Sequence, residues 1–160
     1  MASKTIVRDI PMTLQKDALS KGLVIGFTGS RRGMTGHQAA RVLELLLKFK
    51  PIEGHHGDCV GADAQFHELC QMAKVAVVIH PPEDPTYRAF CTGALRVEPE
   101  RPYLERNHII VDTCKLLLAT PKEDVEPLAG RGQGTWSTVR YARRAQRRMR
   151  IVWPESRSTW

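Results

Sequence analysis

Short runs of strand-forming residues recur along the chain, separated by longer segments with helical spacing of apolar residues. Most runs are apolar throughout, which is typical of strands buried on both faces of a parallel sheet. The runs predicted as strands are residues 23–27, 52–56, 75–80, 115–120 and 150–153. The chain is therefore expected to alternate strands with helices.

Four segments between these runs have apolar residues on one helical face. The first follows Thr35 and Gln38, whose spacing is that of a capping box, and Pro51 closes it. The four predicted helices cover residues 39–49, 62–73, 103–114 and 136–149. Strands that alternate with helices predict parallel pairing, and hence a doubly wound α/β fold: a mainly parallel five-stranded sheet with helices on both faces.

Length and composition indicate one domain. The chain has 160 residues, of which 42% are hydrophobic, and no run approaches the length of a membrane span. We expect an N-terminal arm at residues 1–22, a folded domain at 23–154 and a tail at 155–160. The N-terminus lacks a signal-peptide pattern and the four cysteines are widely spaced, so we expect a cytoplasmic protein with reduced thiols.

The loops after the strands carry most of the candidate chemistry. In a doubly wound sheet, ligands bind outside the carboxyl ends of the strands, so loops 28–36, 56–63, 80–88 and 130–137 are expected to converge. Residues 23–38, LVIGFTGSRRGMTGHQ, form a strand, a glycine-rich loop and a helix start, where an anion can bind. Ser30, Arg31 and Arg32 can donate hydrogen bonds from this loop. They favour an anion-binding site over the alternative that the glycines serve only the geometry of the chain.

Five motifs occur in an order that resembles the SLOG superfamily. They are GFTGSRRGMT, HHGDCVGAD, IHPP, YLERN and GRGQGTW. This Rossmann-like group includes the lonely-guy phosphoribohydrolases, the DNA-processing protein DprA and the YpsA-like proteins, to which the chain is most similar. Over residues 23–154, the resemblance implies a Rossmann-like fold and a pocket for a nucleotide or nucleotide-derived ligand.

The resemblance also implies which residues form the pocket, with phosphate held by the glycine loops. The implied ligand-binding residues are Thr28, Gly29, Ser30, Arg31, Gly57, Gly61, Asn107, Gly132, Gly134 and Thr135. His80, which precedes Pro81 at the edge of the expected pocket, is a further candidate from its position in the chain. In the lonely-guy branch an arginine and a glutamate act together. Arg106 is similar to that arginine, but Thr138 stands where the glutamate is expected, which weakens the case for hydrolysis.

A carboxylate is needed to stabilise the positive sugar of a cleaved glycosidic bond or to activate water. Asp58 or Asp63 is the candidate replacement, with His56 as an acid or base and Arg106 as the partner. The alternative for Asp63 is a structural one, in which it caps the second helix. A metal site built from His55, His56, Asp58 and His67 is not favoured, because adjacent histidines on a strand face opposite sides. We predict neither a metal nor a cofactor.

Positive charge is concentrated near the C-terminus. The net charge is +7, and no acidic residue lies between Glu126 and Glu155. On the predicted helix, Arg140, Arg143, Arg144, Arg147, Arg148 and Arg150 occupy about half the circumference. This face is either simply solvated, a nucleic-acid contact or a contact for an acidic partner subunit.

The leading expectation is a homo-oligomeric protein that binds a nucleotide-like ligand, either ADP-ribose-like or a nucleoside monophosphate. It acts as a sensor, a sequestering protein or a weak enzyme. One alternative is a nucleotide N-glycosidase or ribosyl transferase that uses Asp58 or Asp63 with Arg106. The other is a nucleic-acid binder that uses the arginine-rich helix.

Overall fold

The computed structural model describes residues 22–155, and the predicted arm and tail lie almost entirely outside this range. The strands are β1 Val24–Gly29, β2 Glu53–His56, β3 Ala76–Ile79, β4 Arg96–Val97, β5 Leu116–Thr120 and β6 Arg148–Ile151. The α-helices are α1 Gly36–Phe49, α2 Ala62–Met72, α3 Tyr103–Thr113 and α4 Gln133–Arg144, and a 3-10 turn covers Pro85–Tyr87.

The strands form one sheet in the order β4-β3-β2-β1-β5-β6, and every strand pair is parallel. The doubly wound fold is therefore confirmed, with six strands instead of five. The additional strand is β4, which lies between the predicted strand at 75–80 and the predicted helix at 103–114. It pairs Arg96 with Val78 and Val97 with Ile79. Two exposed residues have no detectable periodicity, which is why the sequence pattern does not reveal this strand.

Helices cover both faces of the sheet. On β5, Leu116 and Leu118 pack into the cluster that includes α1 and α2, while Leu117 and Ala119 pack towards α3 and α4. This alternation is the two-residue period of a strand buried on both sides. Among residues 22–155, no helix has the length and apolar character that a membrane crossing requires.

The start of α1 has the predicted capping box. The Thr35 hydroxyl accepts from the Gln38 amide at 3.1 Å, and Gln38 Oε1 accepts from the Thr35 amide at 2.9 Å. Gln38 Nε2 also donates to the carbonyls of Pro121 and Val152, both at 2.8 Å. The buried amide of Gln38 thus joins α1 to the residues that directly follow β5 and β6.

The C-terminal helix is shorter than predicted. It ends at Arg144, and Gln146 adopts a φ of 56°, so the predicted helical positions Ala145 and Met149 lie at the cap and in β6. Arg147, Arg148 and Arg150 therefore leave the helix, and the predicted face of six arginines does not form.

Two of the arginines on α4 contact the chain itself. Arg140 donates to the carbonyls of Pro127, Leu128 and Arg131, and Arg143 pairs with Glu126 at 2.5 Å. The exposed remainder is Arg144, Arg147 and Arg148, at the end of the sheet where β6 begins.

Candidate functional site

A cavity of about 500 Å³ opens at the carboxyl ends of β1, β2 and β5. Between β1 and β5 the chain reverses its direction of progress across the sheet, which is where doubly wound folds bind ligands. The lining consists of Phe27, Thr28, Gly29, Ser30, Arg31, Arg32, Gly57, Cys59, Asp63, Asp84, Tyr87, Tyr103, Arg106, Asn107, Ile110, Lys122, Glu123, Gly132, Gly134 and Thr135.

Close backbone contacts bring the loops around this cavity together. The Ser30 carbonyl accepts from the Ala62 amide at 2.9 Å. Gly61 has a φ of 89° and lies against the backbone of Arg31, so a side chain at this position would clash. Gly57 lies against the guanidinium of Arg106, and a Cβ there would occupy the same space. The loops after β1 and β2 therefore form one continuous wall.

One end of the cavity is suited to an anion. The first residues of α4 line it, and Gly132, with a φ of 90°, precedes that helix. Within the described structure, α4 has no side-chain cap and no acidic residue in its first turn, so its amide N–H groups and positive dipole end face the cavity. Arg31, Arg32 and Lys122 add positive charge at the cavity wall.

The start of α1, the anion site first expected, is instead closed by its capping box. Thr35 also donates to the Pro154 carbonyl at 2.6 Å, and neither Thr35 nor Gln38 is among the described residues that line the cavity. The loop before α1 contributes Ser30, Arg31 and Arg32, and the open helix start is that of α4.

The cavity also contains a buried cation, Arg106. Its Nη1 donates to the carbonyls of Gly57 and, at 3.2 Å, His80, while its Nη2 lies 3.8 Å from the sulfur of Cys59. The guanidinium stands over the ring of Tyr103 at 4.7 Å. Its Nε has no hydrogen-bond partner within the described part of the chain. A buried donor without a partner is rare in folded proteins and points to a missing acceptor.

Asp63 is the buried carboxylate of the cavity. Its Oδ2 accepts from the Cys59 amide at 3.1 Å. Burial raises the pKa of Asp63 to about 6, against the opposing effect of the Arg106 cation. Near neutral pH this side chain is mainly ionised and can accept hydrogen bonds, and in mild acid it becomes a donor.

Cys59 and Tyr103 lie beside these two charges as neutral groups. Their sulfur and oxygen atoms are 3.1 Å apart. Burial raises the pKa of the Cys59 thiol, and burial together with the Cys59 contact raises the pKa of Tyr103 to about 12. The cysteine is therefore a poor nucleophile in this site, because the thiolate is the reactive form.

A segment of residues 86–92, here called the strap, carries Tyr87 to the cavity. Tyr87 stacks on the guanidinium of Arg31 at 4.0 Å. The buried carboxylate of Asp58 holds the strap, with Oδ2 2.9 Å from Arg88 Nε and Oδ1 accepting from the Cys91 amide at 3.0 Å. Asp58 is absent from the described lining, so the geometry gives it a positioning role and no support for a catalytic one.

His56 is likewise outside the cavity, in a buried chain of hydrogen bonds. The Asp58 amide can only donate, so His56 Nδ1 accepts from it at 2.9 Å. His56 Nε2 must then carry the proton and donate to His67 Nδ1 at 2.9 Å, and His67 Nε2 donates to the Thr92 carbonyl at 2.7 Å. Burial lowers the pKa of His56 to about 3, so it is neutral in the folded protein at neutral pH and serves to hold the strap.

The same histidines and Cys91 place three potential metal ligands within 4.8 Å of one another. The tautomers argue against ligation. Because His56 Nδ1 accepts from an amide, its Nε2 would have to lose a proton to bind a metal, whereas ligating histidines usually donate through the second nitrogen. Burial also raises the pKa of the Cys91 thiol to about 12. The hydrogen-bonded chain explains this cluster without an ion.

His80 belongs to a second, smaller cavity of about 220 Å³. Its Nε2 lies 2.8 Å from Nδ1 of His55, whose Nε2 is 2.7 Å from a carboxylate oxygen of Glu53. As expected for neighbours on a strand, His55 and His56 face opposite sides of the sheet. Arg106 borders both cavities, but His80 is not in the described lining of the larger one.

The structure brings most predicted site residues to the cavity wall, where their binding role stays a prediction. The residues in the wall are Thr28, Gly29, Ser30, Arg31, Gly57, Asp63, Arg106, Asn107, Gly132, Gly134 and Thr135. Gly61, His80, Asp58 and His56 are outside the described lining. Thr138, at the expected glutamate position, is buried and donates to the Gly134 carbonyl at 2.8 Å.

Sequence reasoning missed several lining residues. They are Cys59, Asp84, Tyr87, Tyr103, Lys122 and Glu123. Lys122 and Glu123 lie just beyond β5, after Pro121, so the rule that ligands bind beyond the carboxyl ends of strands already pointed to them. Tyr87 lies in the strap, and its position depends on contacts that no local pattern shows.

Neither family models nor curated proteins match this chain. Several solved structures, however, are similar to it. One is the molybdenum cofactor binding protein of the phototrophic bacterium Rippkaea orientalis, with a TM-score of 0.63, 17% identity, and 85% of this chain and 79% of that chain covered. Another is DNA processing protein A, DprA, from Streptococcus pneumoniae, with a TM-score of 0.58, 16% identity, and 87% and 53% covered.

A third similar structure is that of DNA processing protein A from Helicobacter pylori, which is described by its single-stranded DNA binding mode. It has a TM-score of 0.59 and 18% identity, and covers 93% of this chain and 71% of that one. The chain spans about half the length of the Streptococcus pneumoniae protein. At 16–18% identity these similarities concern the fold alone, and they support the Rossmann-like fold that the sequence resemblance implied.

Proposed function

We propose that this protein binds a phosphorylated heterocyclic small molecule, such as a nucleotide, in the cavity at the carboxyl edge of the sheet. One observation carries the proposal. A single cavity of about 500 Å³ combines an uncapped helix start flanked by cations with a buried carboxylate and a buried arginine. Its volume lies in the usual range for small-molecule sites.

The phosphate is assigned to the first turn of α4. Free amide groups and the helix dipole favour an anion there, and Arg31, Arg32 and Lys122 line the same cavity. The side chains of Tyr87 and Tyr103 provide aromatic surface for a ring. The similar structures include a protein described as binding molybdenum cofactor and one described as binding single-stranded DNA, and both descriptions fit recognition of phosphorylated ligands with rings.

Hydrolysis is the alternative to binding, and the feature that supports it is a carboxylate in the cavity. Of the two candidates, Asp63 lines the cavity and Asp58 does not. Asp63 already accepts a hydrogen bond from the Cys59 amide, while Thr138 replaces the expected glutamate. The N-glycosidase alternative therefore rests on Asp63 with Arg106, and release of free base from a nucleoside monophosphate tests it.

Thermal unfolding with a panel of ligands tests the binding proposal. Nucleoside monophosphates, ADP-ribose, molybdenum cofactor and inorganic phosphate are the probes. A ligand present at 100 times its dissociation constant stabilises the native state by about 2.7 kcal/mol, which is roughly 5–10 °C for a domain of this size. Absence of a shift with every phosphorylated ring compound would refute the proposal.

Phosphate binding at α4 has its own test. Lys122→Gln removes one cavity cation, and we expect at least ~3-fold weaker binding of the ligand that shifts the unfolding temperature. Lys115→Gln is the matched control, because Lys115 is an exposed lysine at the opposite end of β5. Equal losses in both variants would mean that net charge, and not the cavity, governs binding.

Nucleic acid is the second candidate ligand, through Arg144, Arg147 and Arg148. All three are exposed, and none makes a salt bridge within residues 22–155. Phosphate contacts make affinity fall steeply with salt. If this surface binds single-stranded DNA, the triple substitution by glutamine should reduce the salt slope by about 2. An unchanged slope would exclude this surface as a DNA-binding site.

The predicted homo-oligomer is checked in the same samples by light scattering.

A further inference from the structure

We infer that the cavity selects a heterocycle with a lactam edge, in which a ring N–H stands beside a carbonyl, over one with the reversed pattern. Hypoxanthine and guanine have the lactam edge, and adenine has the reverse, a ring nitrogen acceptor beside an amino group. The inference rests on the proposed function and names the class of ring that the same site accepts. It is carried by the two buried charges that line the cavity, Asp63 and Arg106.

Asp63 supplies the acceptor. An ionised carboxylate accepts hydrogen bonds only, and its two oxygens offer about four lone-pair positions. The Cys59 amide at 3.1 Å uses one of them. Acceptor capacity therefore remains on a side chain that is 7% exposed and borders the cavity. A ring N–H of a ligand is the partner that this remaining capacity suits.

Arg106 supplies the donor. A guanidinium has five N–H groups and no acceptor. Nη1 is committed to the carbonyls of Gly57 and His80, and the contact of Nη2 within residues 22–155 is the Cys59 sulfur at 3.8 Å. Nε has no partner among the described residues, although the side chain is 3% exposed. A carbonyl oxygen on the ligand ring would satisfy the donors that the protein leaves open.

The acceptor Asp63 and the donor Arg106 together define which polar edge of a ring the cavity accepts. A lactam places its N–H towards Asp63 and its carbonyl towards Arg106, and both contacts are favourable. Adenine in the same position would set a lone pair against the carboxylate and an amino group against the guanidinium. Buried polar groups left unpaired in this way are strongly unfavourable, so discrimination of at least ~10-fold is expected.

The ring and phosphate ends of the cavity are far enough apart for one ligand to span both. Asp63 follows β2, while α4 follows β5, and β1 lies between these strands. Two strand spacings amount to about 10 Å. Tyr103 lies within 4.7 Å of the Arg106 guanidinium, so an aromatic surface adjoins the polar edge.

Calorimetric titration with inosine monophosphate and adenosine monophosphate tests the inference at pH 8. The two ligands share ribose and phosphate and differ only at the edge of the base, and Asp63 is ionised at this pH because its pKa is about 6. We expect the inosine compound to bind at least ~10-fold more tightly. Its N1-methyl derivative, which lacks the N–H, should lose most of that advantage without any change to the protein.

Variants assign the effect to Asp63. Asp63→Asn replaces a pure acceptor with a group that both donates and accepts, so the preference should fall to within ~3-fold. Glu68→Gln, on the exposed side of the same helix, is the control and should keep the preference. The N1-methyl ligand preserves the test if Asp63→Asn does not fold.

The results distinguish failure of the inferred base preference from failure of the proposed function. Equal affinity for both nucleotides, or a preference for adenosine monophosphate, would overturn the inference and leave the proposed function intact. If neither nucleotide binds, nor any other phosphorylated ring compound, the proposed function fails and the inference fails with it.

Discussion

The buried imidazole of His56 makes stability depend on pH in a way that a single substitution can isolate. In the fold its pKa is about 3, because burial disfavours the charged form, whereas its ordinary value is 6.5. Below pH 6.5, His56 therefore binds a proton in the unfolded chain but stays neutral in the folded one. The contribution of His56 to stability is complete above pH 6.5 and is lost progressively as the pH falls towards 3.

The magnitude at pH 5 follows from the difference between this pH and the unfolded pKa of 6.5, because the folded pKa of about 3 lies well below pH 5. At pH 5 the unfolded imidazole is almost fully protonated and the folded one is not, which costs about 2 kcal/mol relative to pH 8. His80, with a pKa lowered to about 4, acts in the same direction, and Asp63, with a pKa raised to about 6, acts in the opposite one. A comparison of His56→Gln with wild type cancels these other groups.

Urea unfolding at pH 8 and pH 5 measures the effect, with the fluorescence of the buried Trp136 and Trp153 as the probe. At pH 8 the variant should be less stable by roughly 1–3 kcal/mol, because the Asp58 amide loses its acceptor. At pH 5 this difference should shrink by about 2 kcal/mol. His37→Gln changes an exposed histidine on α1 and should follow wild type at both values. If the unfolding free energies of His56→Gln and wild type changed equally between pH 8 and pH 5, His56 would not be the source of the pH dependence.

Two further substitutions test the cavity wall and the strap. Gly57→Ala places a methyl group where the guanidinium lies, so ligand affinity measured by calorimetry should fall at least ~10-fold, whereas Gly36→Ala meets open space and should not weaken binding. Asp58→Asn removes the charge beside Arg88 and should cost on the order of 2 kcal/mol in urea unfolding. Glu100→Gln, which removes the exposed partner of the same arginine, should cost less than about 1 kcal/mol, and equal costs would contradict the assignment.

Local patterns are sufficient for most of the fold. The apolar run that becomes β5 predicts a strand buried on both faces, and the spacing of Thr35 and Gln38 predicts the capping box. The order of strands and helices then brings the loops to one edge of the sheet. These features depend on neighbours in sequence, so the sequence alone reveals them.

The errors arise where contacts distant in sequence decide the structure. β4 exists because two exposed residues pair with β3, and the end of α4 depends on a left-handed residue, Gln146, that helical periodicity does not reveal. Asp58 and Asp63 belong to one motif, yet one carboxylate turns to the strap and the other borders the cavity. Residue type and spacing do not distinguish these two orientations.

His56 shows a different limit of sequence reasoning. A histidine beside an aspartate in a loop after a strand suggests an acid or base. The structure instead commits both ring nitrogens to a buried chain that ends at the Thr92 carbonyl. Because it is buried and hydrogen-bonded, His56 supports the site and does not act in it. Both properties arise only in the folded chain, so the sequence does not reveal them.

A crystal structure with a bound nucleoside monophosphate would locate the ligand itself. We expect the phosphate at the first turn of α4, within hydrogen-bond distance of the amides of Gly134 or Thr135, and the base beside Asp63 and Arg106. A cavity that stays empty at saturating nucleotide, or a nucleotide bound on the surface of Arg144, Arg147 and Arg148, would contradict this expectation.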